Sequence, residues 1–355
     1  MVYSFRGFIL NKMNKTVVER NVSIVVGGQY GSEAKGKVVQ YLANDFQYAV
    51  RGGSPNAGHT VIREPDQKIF KLRQIPATFL NSGCQLLIAA GALIDIDVLD
   101  SETEVTATKS RIIVDRMSGI IEERHKQAEH GIVKSIGSTG KGCGASLIDR
   151  LQRNGSYSLS QDILQDSYRL ENVSQIINSA NHAGKKIVLE GSQGFGLSVY
   201  HGQYPFTTSR DTTSSALLSE VGLSPMIVEK IYLVLRTFPI RVAGNSGPLE
   251  DEVSWEYISE LVGKPVNEFT TVTNKLRRVG KFNLQMARQA VEVNQPTDIA
   301  LNFLNYVFPE CEGCSRWSEL SNEACEYIHR MEEDLQVPIS LIGTGPRFHE
   351  MIDLR

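Results

Sequence analysis

No apolar stretch in the sequence is long enough to span a bilayer. The longest, Leu86 to Ile96, is broken by Gly91 and Asp95 and stops well short of the roughly 20 residues that a membrane helix needs. Basic residues near the N-terminus are not followed by a signal-peptide cleavage pattern, and Met13 offers an alternative start. Cysteine is scarce and odd in number, five in all, which argues against a fully paired disulfide framework and for reduced thiols. Charge of one sign is also missing. Lys and Arg number 37 against 40 Asp and Glu, for a net charge of −3, so there is no basic field of the kind a general nucleic-acid or polyanion binder carries. There is no internal repeat, low-complexity tract or linker. The expectation is a cytoplasmic protein without a membrane or nucleic-acid partner.

What remains is an ordinary folding chain of 355 residues, 41% hydrophobic and 22% charged, able to bury a large core. Strand-like runs at 22–26, 85–90, 110–114, 187–190 and 231–236 alternate with helical patterns at 36–44, 115–130, 161–181, 281–293 and 321–336. Such alternation predicts an α/β fold with a largely parallel central sheet and surrounding helices. Cys311-x-x-Cys314 with Cys325-x-x-x-His329 has the spacing of a zinc site. Cys325, Ile328, Met331 and Leu335 also fit a buried helical stripe, and both readings stay open.

The chemistry gathers where apolar runs end. The segment Val22-Ser23-Ile24-Val25-Val26-Gly27-Gly28-Gln29-Tyr30-Gly31-Ser32-Glu33-Ala34-Lys35-Gly36-Lys37 reads as strand, tight loop and helix start, the local geometry of a phosphate cradle. Gly31-x-x-x-x-Gly36-Lys37 follows most of a P-loop, but Val38 stands where that motif needs a hydroxyl for magnesium. Ser32 is the nearest hydroxyl. Further on come His59 among small residues in Asn56-Ala57-Gly58-His59-Thr60, then Ile136 to Gly144 with Ser138, Thr139 and Lys141, then Arg153, and then Glu190-Gly191-Ser192-Gln193-Gly194. Thr270 to Arg278 joins hydroxyls to clustered cations that suit a small dicarboxylic acid. Near the end, Leu301-Asn302-Phe303-Leu304-Asn305 and Gly343-Thr344-Gly345-Pro346 could hold a base. For each of these a polar loop without a ligand is the alternative, but together they favour a nucleotide site.

Taken in order, these segments resemble the adenylosuccinate synthetase family from about residue 22 to 352. Gln29 to Lys37 is similar to that family's first loop, Gln-Trp-Gly-Asp-Glu-Gly-Lys-Gly-Lys, and Asn56 to Thr60 to the loop of its catalytic histidine. Ile136 to Gly144, Glu190 to Gly194, Tyr204 to Ser209 and Thr344 to Pro346 match further signatures. The resemblance implies one α/β domain over 22–355 behind an extension at 1–21. It also implies a homodimeric C–N ligase, requiring Mg2+, that phosphorylates the 6-oxygen of a purine monophosphate and displaces the phosphate with aspartate. By position, Ser32, Lys35, His59 and Gln193 would be catalytic, and the Gly58 carbonyl and Ser32 would ligate the metal. The donor nucleotide would lie on Ser32, Glu33, Ala34, Lys35, Gly36, Lys37, Gly58, His59, Thr60, Asn302, Asn305, Gly343, Thr344, Gly345 and Pro346. The monophosphate would lie on Ser32, Asn56, Ala57, Gly58, Ser138, Thr139, Gln193, Thr208 and Leu276, with Arg153 reaching in from the other subunit. Val272, Thr273, Asn274 and Arg278 would take L-aspartate.

Three departures set the substrate expectation. Ser32 replaces the family's general-base aspartate, and a serine hydroxyl is a poor base at neutral pH. Asn305 replaces the Asp of a Thr-Lys-Leu-Asp segment that reads guanine, and an amide both donates and accepts, as adenine requires. Leu276 replaces an arginine near the ribose, which suits a 2′-deoxy sugar. With a chain shorter than usual, these features resemble the viral, bacteriophage branch of the family, 2-aminoadenylosuccinate synthetases. Those enzymes use dGMP, aspartate and ATP or dATP on the route to 2-aminoadenine DNA, which would place this protein in a host cytoplasm. The alternatives are a conventional synthetase using IMP and GTP, and a nucleotide-binding regulator without catalysis.

Overall fold

The computed structural model describes residues 18–64, 66–131, 136–270 and 275–355. Strand Val22–Gly27 lies near the middle of a ten-stranded sheet, between Ile187–Glu190 on one side and Val228–Arg236 on the other. Outward from Ile187–Glu190 the order continues through Tyr48–Arg51, Gln85–Ile88, Ile112–Asp115 and Arg169–Glu171. Outward from Val228–Arg236 it continues through Asp298–Asn302, Ile339–Gly343 and Met351–Asp353. All neighbours pair in parallel except the last two, which are antiparallel.

The first strand is buried along its whole length because both faces of a parallel sheet are covered by helices. Val22, Ile24 and Val26 point into one core with Leu189, Leu233 and Leu301, whereas Val25 points into the other with Val39, Val188 and Val234. Successive strand residues face opposite sides, which is why a continuous apolar run serves here. The next strands in the sheet belong to remote parts of the chain, so their C-terminal loops diverge and leave a crevice, the usual ligand seat of an open α/β sheet.

All five expected strands lie in this sheet, and the helices at 281–293 and 321–336 are found as Leu284–Asn294 and Asn322–Leu335. Two expected helices are corrected. The 115–130 span is the end of strand Ile112–Asp115, a two-residue strand Gly119–Ile120 and helix Glu123–Ala128. Asp115 accepts from the backbone N–H groups of Met117, at 2.9 Å, and Val173, at 2.8 Å. Such local side-chain bonds give the backbone an alternative to helix. The 161–181 span is divided into helix Ser160–Ile163, strand Arg169–Glu171 and helix Val173–His182, the last capped by Asn172, which accepts from Gln175 N–H at 2.9 Å.

Among the described residues no group of three or more His, Cys, Asp or Glu side chains is placed to hold a metal, and no helix is long and apolar enough to cross a membrane. On the last helix the buried stripe is Ala324, Ile328, Met331 and Leu335. Cys325 lies beside it and His329 faces solvent near Glu332.

Candidate active site

The loop after the first strand is rigid because its polar groups are consumed internally. Ser32 and Ala34 both adopt left-handed backbone conformations, at φ 59° and 67°, which non-glycine residues hold only when the surroundings impose them. Buried Glu33 accepts from the N–H groups of Gln29, at 3.1 Å, and Gly31, at 2.7 Å, and pairs with Lys35 Nζ at 2.7 Å. Gln29 exchanges two 3.0 Å bonds with the backbone of Arg236, fastening the loop to the adjacent strand. Glu33 is therefore a brace of the loop, and it does not line the cavity. Lys37 donates to the carbonyls of Gly345, at 2.5 Å, and Glu350, at 2.7 Å. Burial lowers its pKa to about 7, so this ammonium lacks the anion that would hold its charge.

Ser32 faces a cationic corner. Its Oγ accepts from Arg277 Nη1 at 2.6 Å and its carbonyl accepts from Arg236 Nη1 at 3.0 Å. Arg236, fully buried, pairs with Glu268 at 2.5 Å, and Tyr306 Oη donates to the same carboxylate at 3.2 Å. Across the crevice His59 lies against Glu190, with Nδ1 and Oε1 2.5 Å apart, and Arg51 contacts both. Burial, then the Arg51 charge, pushes the His59 pKa down to about 3, so the imidazole is neutral in the free protein. The Glu190 bond fixes the ring, and an anion arriving beside it would favour protonation. Gln193, at φ 57°, donates from Nε2 to Asn56 Oδ1 at 2.7 Å and accepts from Ser192 at 2.7 Å.

Ser32, His59, Gln193, Glu268, Arg277 and Tyr306 line one cavity of about 1800 Å³, larger than the ~300–1,000 Å³ of a single-ligand pocket. Of the expected residues, Ser32, Ala34, Lys35, Gly36, Lys37, Asn56, Ala57, Gly58, His59, Thr60, Ser138, Thr139, Gln193, Thr208, Asn302, Asn305, Gly345 and Pro346 line it. Gly343 and Thr344 lie behind the wall. A Cβ at Gly343 would come within 2.1 Å of Asn302 Oδ1, and Thr344 donates to the Cys314 carbonyl at 2.6 Å.

Leu276 is 44% exposed and outside the lining. Arg278 also points elsewhere, to Glu252 at 2.6 Å and the Gly247 carbonyl at 2.7 Å. Alternation along the chain turns its neighbour Arg277 inward instead. Val272, Thr273 and Asn274 lie outside the described residues. Arg153 ends helix Cys143–Gln152 in a left-handed conformation, exposed and away from the cavity of its own chain. The sequence alone does not point to Arg236, Glu268 or Tyr306, nor to Glu129, which accepts from the N–H groups of Gly142 at 2.7 Å and Gly144 at 2.6 Å.

The crevice thus joins a phosphate cradle, a neutral buried histidine, a strand-end glutamine and inward cations, with room for more than one ligand. The sequence profile of adenylosuccinate synthetases matches residues 24–167 and 157–308. The adenylosuccinate synthetase of Methanocaldococcus jannaschii is 40% identical over 350 residues, 96% of this chain and 99% of that protein. The chain belongs to the adenylosuccinate synthetase family. The synthetase of Archaeoglobus fulgidus is 39% identical over 339 residues, 94% of this chain and 98% of its own. Among solved structures, succinoaminodeoxyadenylate synthetase of cyanophage S-2L, bound to dGMP and dATP as an energy donor, superimposes with a TM-score of 0.80. It is 26% identical, with 95% of this chain and 96% of that one covered. Plasmodium falciparum adenylosuccinate synthetase shares the fold at a TM-score of 0.80 and 22% identity, covering 94% and 100%. As an adenylosuccinate synthetase-type protein, the chain is a C–N bond-forming ligase.

Proposed function

We propose that this ligase joins L-aspartate to dGMP, with ATP or dATP as phosphoryl donor, to give 2-amino-2′-deoxy-N6-succinyladenylate. The observation that carries the reading is Ser32, a small hydroxyl where the family places its general-base aspartate, held against Arg277. Replacing a carboxylate by serine clears volume beside purine C2, where guanine carries an amino group and hypoxanthine does not. In the first step N1 releases its proton to solvent as the 6-oxygen attacks the γ-phosphorus and the nucleoside diphosphate leaves. In the second, the aspartate amine attacks C6, gives up a proton, and inorganic phosphate departs. Arg277 beside Ser32 would stabilise negative charge developing on the 6-oxygen, and His59 the charge on the phosphoryl group. Gln193 would contact the 6-oxygen region, and Lys35 and Lys37 would face the donor phosphates. The dGMP phosphate would lie on Ser138, Thr139 and Thr208, with Arg153 supplied by the other subunit of a dimer. Val272, Thr273 and Asn274 would take aspartate, with Arg277 rather than Arg278 as the cation that faces the cavity.

The family implies Mg2+, and the donors at hand are oxygens, Ser32 Oγ and the Gly58 carbonyl, which suit this hard cation. Neither is charged, and the carboxylate of Glu33 is taken by Lys35 and backbone N–H groups. The fit therefore holds with the donor phosphates supplying the negative charge, and the ion would neutralise charge on them as the phosphoryl group transfers.

The second reading is a conventional synthetase with IMP and GTP, favoured by the 40% identity to the archaeal enzyme. Phosphate release in a matrix of IMP, GMP and dGMP against GTP, ATP and dATP distinguishes them. Turnover with dGMP and an adenine donor is expected. Turnover confined to IMP with GTP would replace the first reading by the second, and aspartate-independent binding without turnover in any cell of the matrix would reject both.

A further inference from the structure

Cys311-x-x-Cys314 has the spacing of a redox pair as well as that of half a metal site, and among the described residues it belongs to no group placed to hold a metal. The four residues form one tight turn. Cys311 ends the short helical segment Pro309–Cys311. Glu312 follows at φ −60° and ψ 122°, Gly313 at φ 84°, and Cys314 N–H donates to the Cys311 carbonyl at 3.1 Å. These are the angles of a type II turn, whose end Cα atoms lie within ~7 Å of each other. A disulfide usually spans ~4.4–6.8 Å between Cα atoms, so the backbone is already arranged for one. The side chains share a direction as well. Cys311 is buried in the core, and half-buried Cys314 packs against the same cluster. Cys314 Sγ lies 3.6 Å from the Glu319 carbonyl, and the Cys311 thiol faces Ser321 in the same short segment.

This turn is fastened to the cavity wall. Thr344 Oγ1 donates to the Cys314 carbonyl at 2.6 Å, and Gly313 N–H reaches the Thr344 carbonyl at 3.4 Å. Gly345 and Pro346, next along the chain, line the cavity. Glu312, between the two cysteines, lines it too and pairs with Lys264 at 2.7 Å. Bonding two sulfurs brings them to ~2.0 Å, well inside the contact distance of two thiols, so the turn must tighten and pull on Thr344 and Glu312.

We propose that Cys311 and Cys314 close a reversible disulfide, and that closing it weakens nucleotide binding at this wall of the cavity. The more accessible Cys314 thiolate attacks one sulfur of a small disulfide of the oxidised-glutathione class and expels one thiolate. Cys311 then loses its proton and attacks the Cys314 sulfur of the mixed disulfide, and the second thiolate leaves. The protein gives up two electrons and two protons, and the small disulfide becomes two thiols. Burial, then the carboxylates of Glu310 and Glu319, raises the Cys314 thiol above its ordinary range, so thiolate is sparse at neutral pH and the exchange is slow. The effect on binding rests on the proposed seating of the donor at this end of the cavity, whereas the bond itself does not.

The full-length protein, equilibrated in mixtures of reduced and oxidised glutathione, alkylated and mapped by mass spectrometry, should yield Cys311 joined to Cys314, with Cys84, Cys143 and Cys325 alkylated. In Cys311→Ser the reaction should stop at a mixed disulfide on Cys314. Calorimetry with ATP and with GTP should give a donor Kd weaker by about fivefold or more in the oxidised protein, the low end of a coupling between two sites, and a dithiol reductant should restore it. Such coupling is reciprocal, so saturating donor should raise the ratio of oxidised to reduced glutathione needed for half-oxidation by the same factor. No bond between Cys311 and Cys314 at any ratio, or a bond from Cys311 to Cys325, overturns the pair, and because the wild-type chain decides this, a Cys311→Ser variant that fails to fold does not affect the outcome. A bond that forms while the Kd values of donor and dGMP both stay unchanged overturns the link to the cavity. A bond that shifts the Kd of dGMP and not that of the donor upholds the pair and its link to the cavity, and defeats the seating of the donor at this wall.

Discussion

A serine and an aspartate at position 32 present different volume and charge to the same purine edge, and the consequences run in opposite directions for two substrates. The loop cannot back away, because the Ser32 backbone is left-handed and its carbonyl is tied to Arg236. Ser32→Asp should therefore crowd the 2-amino group and lower kcat/KM for dGMP by tenfold or more. The same carboxylate restores a base near N1, and general-base catalysis is typically worth ~10²–10⁴-fold, so turnover of IMP should rise. Unchanged dGMP turnover in the mutant would defeat the steric assignment. Lys37 makes a second residue-level prediction. With its free-protein pKa lowered to about 7 by burial and an unfolded value near the ordinary 10.5, the unfolded chain binds more protons between these limits. This group therefore adds stability as pH rises from about 7 toward 10.5. A donor triphosphate beside it would raise the pKa again, so binding near pH 8 should take up a proton and donor affinity should fall as pH climbs above 7. Calorimetry in buffers of different ionisation enthalpy measures the uptake, and Lys37→Met should abolish it. Equal uptake in that variant would assign the proton elsewhere.

The loops at the strand ends hold one another more than they hold solvent. Gly194, which follows strand Ile187–Glu190, lies where an added Cβ would meet Glu33 Oε1 at 2.4 Å, the Gln29 carbonyl at 2.6 Å and Gly31 N at 2.7 Å. Backbone atoms make two of these three contacts, so little can yield. Gly194→Ala should destabilise the protein by about 1–3 kcal/mol, the usual cost of overpacking. It should also lower kcat with either donor, because it separates Gln193 from the cradle. A melting temperature and kcat equal to the wild type would show that the two loops are independent. This contact also shows what the sequence could not disclose. The apolar runs at 22–26 and 187–190 announce buried strands, and the glycines after them announce tight loops. That Glu33 would spend its carboxylate on Gly31 and Lys35 depends on the left-handed backbone at Ser32 and Ala34, and that Glu190 would pair with His59 and Arg51 depends on neighbours more than a hundred residues away. Short strands such as Tyr48–Arg51 and Ile339–Gly343 escaped notice for the same reason, since the sheet rather than local propensity makes them strands. At 115–130 and 161–181 the helical period runs across Asp115, which takes backbone N–H groups at a strand end, and Asn172, which caps the start of a new helix. Arg277 and Arg278 were legible as a basic pair, but which one turns inward is decided by the strand at Arg278–Gly280.

At the scale of the whole molecule, one wall of the cavity remains open. Helix Cys143–Gln152 begins beside Ser138 and Thr139 in the cavity and ends at Arg153, and along it Ile148 and Leu151 are 62% and 73% exposed. Exposed apolar side chains beside a polar rim suit burial against a second protein surface. A two-fold dimer through this helix would carry each Arg153 to the other subunit's crevice, where its guanidinium would meet the dGMP phosphate. The arrangement predicts complementation. Arg153→Ala and His59→Ala should each be nearly inactive alone, because each removes one group from every site. After subunit exchange, half of the dimers should be mixed. In a mixed dimer one site combines the intact His59 of one chain with the intact Arg153 of the other, while its second site has lost both. Activity should therefore recover to roughly a quarter of the wild type. If Arg153 served the cavity of its own chain, every site in the mixture would still lack one group and no activity would return. Exchange must be shown independently, by mass spectrometry of differently tagged subunits, before a null result is read as a site contained within one chain.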